Sequence, residues 1–404
     1  MIPLIDGFIY TLQLMSESIC ILGRQPALGL AELESLLGPN RIKRVSPVAA
    51  VIDTHAENIP FSTLGGTVKL AKLLYKFPHT DWRKIQTYLE KSIPEHLKMA
   101  PNGKFTLGLS VYGLEVSTNQ LMATGLSIKK SVKSEGRSIR LVPNKEPALN
   151  SAQVLNNKLT TDLGWELIFV RSGNSVLMGQ TMHEQDIDSY AARDQKRPKR
   201  DSVVGMLPPK LAQIIINLAN PSSNFTVLDP FCGTGVVLQE AQIMGYGSIG
   251  TDIEPRMVEY ARENIEWLQQ YTNNPEQRAS VEVGDATNYQ WPLSFNTIAC
   301  ETYLGRPFTH EPDAKTLEKV MQDVHVIHKK FLLNVASQTK PGFRMAIAVP
   351  AWKSGRGFIH LKTLDSLEEL GYTRISFVHA DNEDLIYHRE GQIVGRELIT
   401  LVRK

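Results

Sequence analysis

The chain has 404 residues, 42% of them apolar, enough material for two or three packed domains. Charged residues make up 21% and the formal net charge is +2, which excludes a globally basic or acidic protein and leaves any basic surface to local patches. No apolar run approaches the ~20 residues of a membrane span, no basic stretch precedes an apolar one at the N-terminus, and the cysteines at 20, 232 and 300 show no pair spacing, so a soluble cytoplasmic protein without a metal site is expected. In chain order, residues 18–23 read as a buried strand. After Pro26, residues 28–38 read as an amphipathic helix stopped by Gly38 and Pro39. Residues 49–54 supply another strand. The stretch 65–74 reads as a helix with Lys69 and Lys72 on a solvated side, a further helix lies around 82–92, and residues 104–112 alternate as a half-buried strand central to an α/β sheet.

From Thr118 the apolar residues Ala123, Leu126, Ile128 and Val132 recur near helical spacing, and strand candidates follow at 138–142, 166–170 and 175–180. Lys129, Lys130, Lys133, Arg137, Arg140 and Lys145 form a basic run opposed by Glu135, which fits either a phosphate-tracking surface or a solubilising one. With the glycine-rich Leu64-Gly65-Gly66-Thr67 and the strand Phe105 to Tyr112, residues 1–180 resemble the N-terminal ferredoxin-like and THUMP domains of RNA-modifying enzymes. That resemblance divides them into a ferredoxin-like domain at 1–60 and a THUMP-like RNA-binding domain at 61–180. The stretch 181–202 reads as a linker; Arg193, Lys196, Arg197, Lys199 and Arg200 crowd its proline-broken end, and it serves as a solvated hinge or as a further grip on nucleic acid.

Residues 203–404 carry the chemistry. Residues 205–215 open a helix with proline in its first turn, where a missing N–H costs nothing. Then Thr226-Val227-Leu228-Asp229-Pro230-Phe231-Cys232-Gly233-Thr234-Gly235 is an apolar strand that ends in an acid and breaks into a glycine turn before a helix. The glycines allow close backbone approach and the helix N-terminus offers free N–H groups. Leu238 stands where a dinucleotide fingerprint has its third glycine, and Asp229 would repel a pyrophosphate. S-adenosylmethionine, with its ammonium and sulfonium, is attracted instead. Two more strands end in acids. Asp252 is placed for the ribose hydroxyls, Asp285 for the adenine amino group, and Ala286 offers a backbone N–H to the ring.

These three acid-tipped strands resemble the class I S-adenosylmethionine-dependent methyltransferases. The resemblance implies a cofactor set of Asp229, Pro230, Phe231, Gly233, Thr234, Gly235, Asp252, Ile253, Asp285 and Ala286, with Met206 and Pro208 as contacts beside it. It also implies a Rossmann-like domain with a mostly parallel seven-stranded sheet and an antiparallel hairpin, the hairpin falling at 384–389 and 397–402 around Gly391. At the end of a fourth strand, residues 295–300, stands Glu301-Thr302-Tyr303-Leu304. Amino-group methyltransferases carry Asp/Asn-Pro-Pro-Tyr here, because acceptors must hold the amine hydrogens to localise its lone pair while an aromatic ring stacks the base. Glu301 is one methylene longer, both prolines are missing, and Tyr303 stands one position early. Glu301 and Tyr303 are nevertheless the catalytic candidates. Cys300 as a nucleophile for pyrimidine C5 is disfavoured, since the pattern of such enzymes is missing, and Trp352, after the fifth strand at 345–350, is either a base stacker or packing.

The chain as a whole resembles the THUMP-bearing tRNA guanine-N2 methyltransferases. This implies methyl transfer to an exocyclic nitrogen, guanine N2 in a tRNA or another structured RNA, with the base flipped out if it lies in a stacked helix. Two other readings stay open: a DNA amino-methyltransferase acting on adenine N6 or cytosine N4, and a non-catalytic RNA-binding protein that retains the cofactor pocket.

Overall fold

The computed structural model describes residues 16–201, 206–273, 279–292, 295–308, 310, 312–355 and 357–404. Residues 1–15 of the expected 1–60 domain, Ser202 at the end of the expected linker and residues 203–205 lie outside the described residues. Two units are distinguished: Met1–Pro26, Asn40–Ser62 and Thr67–Ile187 in the first, and Ala27–Pro39, Thr63–Gly66 and Asp188–Lys404 in the second.

In the first unit β-branched and aliphatic runs make eight strands. These are β1 (Ser18–Leu22), β2 (Ile42–Ser46), β3 (Ala49–Ile52), β4 (Thr67–Phe77), β5 (Phe105–Tyr112), β6 (Ile139–Leu141), β7 (Gly164–Ser172) and β8 (Ser175–Glu184), in one sheet of order β2-β3-β1-β4-β8-β7-β5-β6. Strands drawn from 18–52 and from 67–184 are therefore neighbours in it. Helices Trp82–Leu97 and Thr118–Ser134 bury Trp82, Ile85, Leu89, Leu121, Ile128 and Val132 against Phe105, Leu107, Phe169 and Met178. Each begins with a side-chain cap, Asp81 on the amides of Arg83 and Lys84, and Ser117 with Gln120 in a reciprocal capping box.

Three expectations for this unit fail. The stretch 65–74, expected as a helix, is mostly β4: its apolar residues are short-range ambiguous between the two periods, and pairing with β1 and β8 decides for the strand. Lys69, expected on a solvated face, is 2% exposed, with its Nζ 2.5 Å from Glu166 Oε1 and 3.2 Å from Glu184 Oε2. β5, expected as half-buried, is buried along Leu107–Val111, because helices cover one face and Leu149 and Leu159 lie against Gly108 on the other. In the basic run, Lys129, Lys130, Lys133, Arg140 and Lys145 are exposed, whereas Arg137 turns back to donate to the carbonyls of Leu97, Ala100 and Pro101.

The second unit holds β9 (Thr226–Asp229), β10 (Gly247–Asp252), β11 (Ala279–Val283), β12 (Thr297–Glu301), β13 (Arg344–Ser354), β14 (Gly357–Ile359), β15 (Tyr372–Arg374), β16 (Ile386–Tyr387) and β17 (Val394–Arg403). Their order is β11-β10-β9-β12-β13-β17-β15, with β14 on β13 and β16 on β17. β11 to β13 run parallel; β17 is antiparallel to β13, β15 and β16. The main path thus has the seven strands, mostly parallel, with the antiparallel closure expected for a Rossmann-like methyltransferase domain. Helices Val236–Ile243 and Pro255–Thr272 pack on β9, β10 and β11, and Ala314–Gln338 lays Val324, Phe331, Leu332 and Val335 on the core below β12 and β13. Pro209 opens helix Pro209–Ala219 in its first turn, as expected.

The expected linker is partly helix, Ile187–Gln195. Arg193 is buried, its Nε 2.7 Å from Glu240, and Arg197 is 2% exposed, so neither forms a solvated grip. Glu240, 1% exposed on its helix, needs a cation, and the linker supplies it. Lys196 and Arg200 remain exposed.

Candidate cofactor and target site

β9, β10 and β12 are parallel neighbours, so their carboxyl ends open to the same side of the sheet. A cavity of about 350 Å³ lies there, bounded by Asp229 and the turn Phe231 to Thr234, by Asp252, Ile253 and Glu254, and by Glu301 to Gly305, with Asp201, Met206, Leu207, Val236, Val237, Arg256 and Met257 completing the wall. Of the sequence candidates, Met206, Asp229, Phe231, Gly233, Thr234, Asp252, Ile253, Glu301 and Tyr303 are on this wall. Pro208, Pro230, Gly235, Asp285 and Ala286 are not. Pro208 is the N-cap residue of helix Pro209–Ala219, and Gly235 is that of Val236–Ile243. Asp285 follows β11 and uses Oδ1 to accept from the amide of Thr287, while the Ala286 carbonyl accepts from Asn334.

The turn is shaped by backbone that only glycine adopts readily. Gly233 sits at φ +48 and a Cβ there would meet nothing within 4 Å, so the chain leaves open space on the cavity side. Its amide donates to Asp252 Oδ2 at 2.9 Å, and the other oxygen, Oδ1, accepts from the amide of Glu254 at 2.9 Å. Asp252 is thereby fixed in direction at the tip of β10 and keeps lone pairs for a hydroxyl pair. Burial raises its carboxyl above the usual range, against the pull of these two amides.

Asp229 is 2% exposed and accepts one hydrogen bond, from the amide of Phe231 at 3.1 Å. Burial pushes its carboxyl well above the ordinary range; the Phe231 amide opposes this, and Asp252 and Glu301 add to it. Among the described lining residues the acids Asp201, Asp229, Asp252, Glu254 and Glu301 face one guanidinium, that of Arg256, which is paired with Asp201 at 3.1 Å. A wall of this charge disfavours phosphate and favours a cation, so the residues present fit the sulfonium and ammonium of S-adenosylmethionine and do not fit a dinucleotide.

At the end of β12 the loop is held from below. Thr302 Oγ1 lies 2.6 Å from His328 Nε2 and 2.9 Å from the Ala348 carbonyl, and His328 Nδ1 lies 2.8 Å from the Val324 carbonyl. Burial lowers His328 to about 4, so it is neutral at pH 7 and its Nδ1–H donates to Val324, leaving Nε2 to accept from Thr302. Glu301 Oε1 accepts from Nε of Arg396 on β17, and Arg396 is 6% exposed. No other hydrogen bond to Glu301 is formed among the described residues, and the residue lines the cavity. Tyr303, 41% exposed, stands on the rim.

Arg396, Thr302 and His328 escaped the sequence reading because their partners stand 26 to 95 residues away. Asp201 and Arg256 escaped it because neither lies in a motif. Cys300 is fully buried, and burial first, then Asp229 and Glu301, push its thiol up, which suits packing and not a thiolate. Trp352 is fully buried in the core and does not stack a base.

Residues 221–367 match a family model described as "Methyltransferase domain", and residues 139–263 match one described as "DNA methylase". The tRNA (guanine(10)-N2)-dimethyltransferase of Methanothermobacter thermautotrophicus is 47% identical over 75 residues, 19% of this chain and 22% of the relative. That of Pyrococcus abyssi is 30% identical over 171 residues, 41% of this chain and 43% of the relative. The chain thus spans less than half the length of these curated relatives. Among solved structures, TrmN from Thermus thermophilus is similar in fold, with a TM-score of 0.50 at 15% identity, covering 96% of this chain and 99% of that one.

Proposed function

We propose that the chain is a cytoplasmic S-adenosylmethionine-dependent tRNA methyltransferase that acts on an exocyclic amine, guanine N2, and that its first unit carries the ferredoxin-like and THUMP-like RNA-binding parts. The observation that carries the reading is the placement of Glu301 and Tyr303 on the same cavity wall as the acids Asp229 and Asp252. Bound in that cavity, S-adenosylmethionine supplies an electrophilic methyl group. Asp229 is the carboxylate for its cationic end, Asp252 takes the ribose hydroxyls, and Asp285 with Ala286, just after β11, is assigned to the adenine. Arg396 fixes Glu301 Oε1, so Oε2 is the acceptor that holds an amine hydrogen and favours the positive charge growing on nitrogen as the methyl arrives. Tyr303 on the rim stacks the base. The identity with tRNA guanine-N2 enzymes over the matched segments supports guanine as the target.

A second reading, methyl transfer to an amine of DNA, is favoured by the match of residues 139–263 to a DNA methylase model. Nucleoside mass spectrometry after incubation of the protein with unmodified tRNA or duplex DNA separates the two. N2-methylguanosine from tRNA is the expected product, and Glu301→Gln is expected to slow its formation by about 10²-fold or more while cofactor affinity stays near parental. Methylated DNA with unmodified tRNA would establish the second reading, and a parental rate in Glu301→Gln would place the acceptor elsewhere.

A further inference from the structure

A second cavity, of about 480 Å³, adjoins the first through Tyr303 and Gly305, which line both. Its wall is otherwise Arg306, Lys315, Thr316, Lys319, Val320, Asp323 and Val324, and its size suits a nucleotide-sized guest. Lys315 and Lys319 are four residues apart on helix Ala314–Gln338 and so project from one face, while Arg306 comes from the loop after β12. All three are exposed, and none forms an ion pair among the described residues. Among the described wall residues Asp323 is the one carboxylate. Gly305, at φ +90, lets the loop backbone lie against the helix: a Cβ there would come within 2.9 Å of Val320 and 3.2 Å of Val324. The loop that carries Glu301 and Tyr303 is therefore seated on the helix that carries the lysines.

The two cavities differ in sign. One has an acid wall suited to a cation, and the other, across Tyr303, gathers three cations around an opening. A nucleotide has the same polarity, with a neutral base at one end and a phosphodiester at the other. We propose that Arg306, Lys315 and Lys319 hold the backbone phosphates flanking the target nucleotide, so that its base is delivered past Tyr303 to Glu301. The inference rests on the methyl-transfer reading only for the direction in which the base points; the anion-binding role of the cleft stands on its own charges.

The test is the salt dependence of binding of an unmodified tRNA transcript to the full chain. Each phosphate contact contributes about 0.7 to 0.9 to the slope of log affinity against log salt. Lys315→Ala/Lys319→Ala should lower that slope by about 1.4 to 1.8 and weaken binding about 5- to 20-fold near physiological salt, with parental S-adenosylmethionine affinity reporting an intact fold. Lys315→Arg/Lys319→Arg should keep the parental slope. A parental slope in the alanine variant would overturn the proposal. Because the slope is read from binding, a parent that methylates nothing would count against the enzymatic reading, and the slope would still decide this one.

Discussion

Each unit buries a cluster of acids, and the two clusters have opposite fates. In the first unit Glu166 and Glu184 close around Lys69. The Lys69 ammonium also donates to the Leu149 carbonyl at 2.8 Å, and Glu166 accepts from Ser110 and Thr181. Burial still raises Glu184 to about 7 against the pull of Lys69. In the second unit Asp229, Asp252 and Glu301 are also withdrawn from water, but they border a cavity. Asp229 and Asp252 take their hydrogen bonds from backbone amides and form no ion pair among the described residues, whereas Glu301, on the cavity wall, is paired with Arg396. Acids that have found their cation inside a closed core, as around Lys69, are structure; Asp229 and Asp252, unpaired with a cation and beside a cavity, are arranged for one from outside.

The largest effect is expected at Lys69. Lys69→Met removes the cation and leaves two acids buried, a change in the class that costs about 3–5 kcal/mol. Hydrogen exchange of peptides from β4, β7 and β8 should accelerate accordingly. The acceleration should be larger at pH 8 than at pH 6, where Glu184, already raised to about 7, takes up a proton. Equal protection in parent and variant would show that the triad contributes nothing.

A smaller effect comes from the neutral pair beneath the open cluster. His328 has a folded value of about 4 against about 6.5 when unfolded, so the unfolded chain binds the proton more readily between these values. Its contribution is present above pH ~6.5 and is lost as pH falls toward 4, a total of ~3 kcal/mol. Glu32 in the same unit, raised to about 7 chiefly by burial, works in the opposite direction, gaining stability as pH falls. The parent-minus-variant difference with His328→Gln therefore isolates the histidine. Exchange of residues 297–304 followed from pH 7 to 4.5 should show the slope in the parent and not in the variant.

Why one cluster was legible in the sequence and the other was not follows from the same contrast. Asp229, Gly233, Asp252 and Glu301 stand at the ends of apolar runs, and strand-end acids beside a glycine turn form a local pattern. Lys69 lies inside a run whose lysines three apart suggest a helix face, and its partners are 97 and 115 residues away, across β8 and β7. A separation of 47 residues likewise hid Arg193 behind a basic, proline-broken stretch that reads as a linker, since its partner Glu240 lies on another helix. The strands from β9 to β13 could be placed along the chain from their apolar runs, and their parallel arrangement was implied by the family resemblance. What the loop after β12 rests on, His328 and Arg396, could not, because long-range pairing leaves no trace in a local window.

Titration calorimetry with S-adenosylmethionine is the sharpest check that the open cluster holds this cofactor. Hydrogen bonds to a charged group are worth about 1.5–3 kcal/mol, so Asp252→Ala is expected to bind at least about tenfold more weakly than the parent, while Lys69→Met, if folded, keeps parental affinity. Equal affinity in Asp252→Ala and the parent would contradict the account.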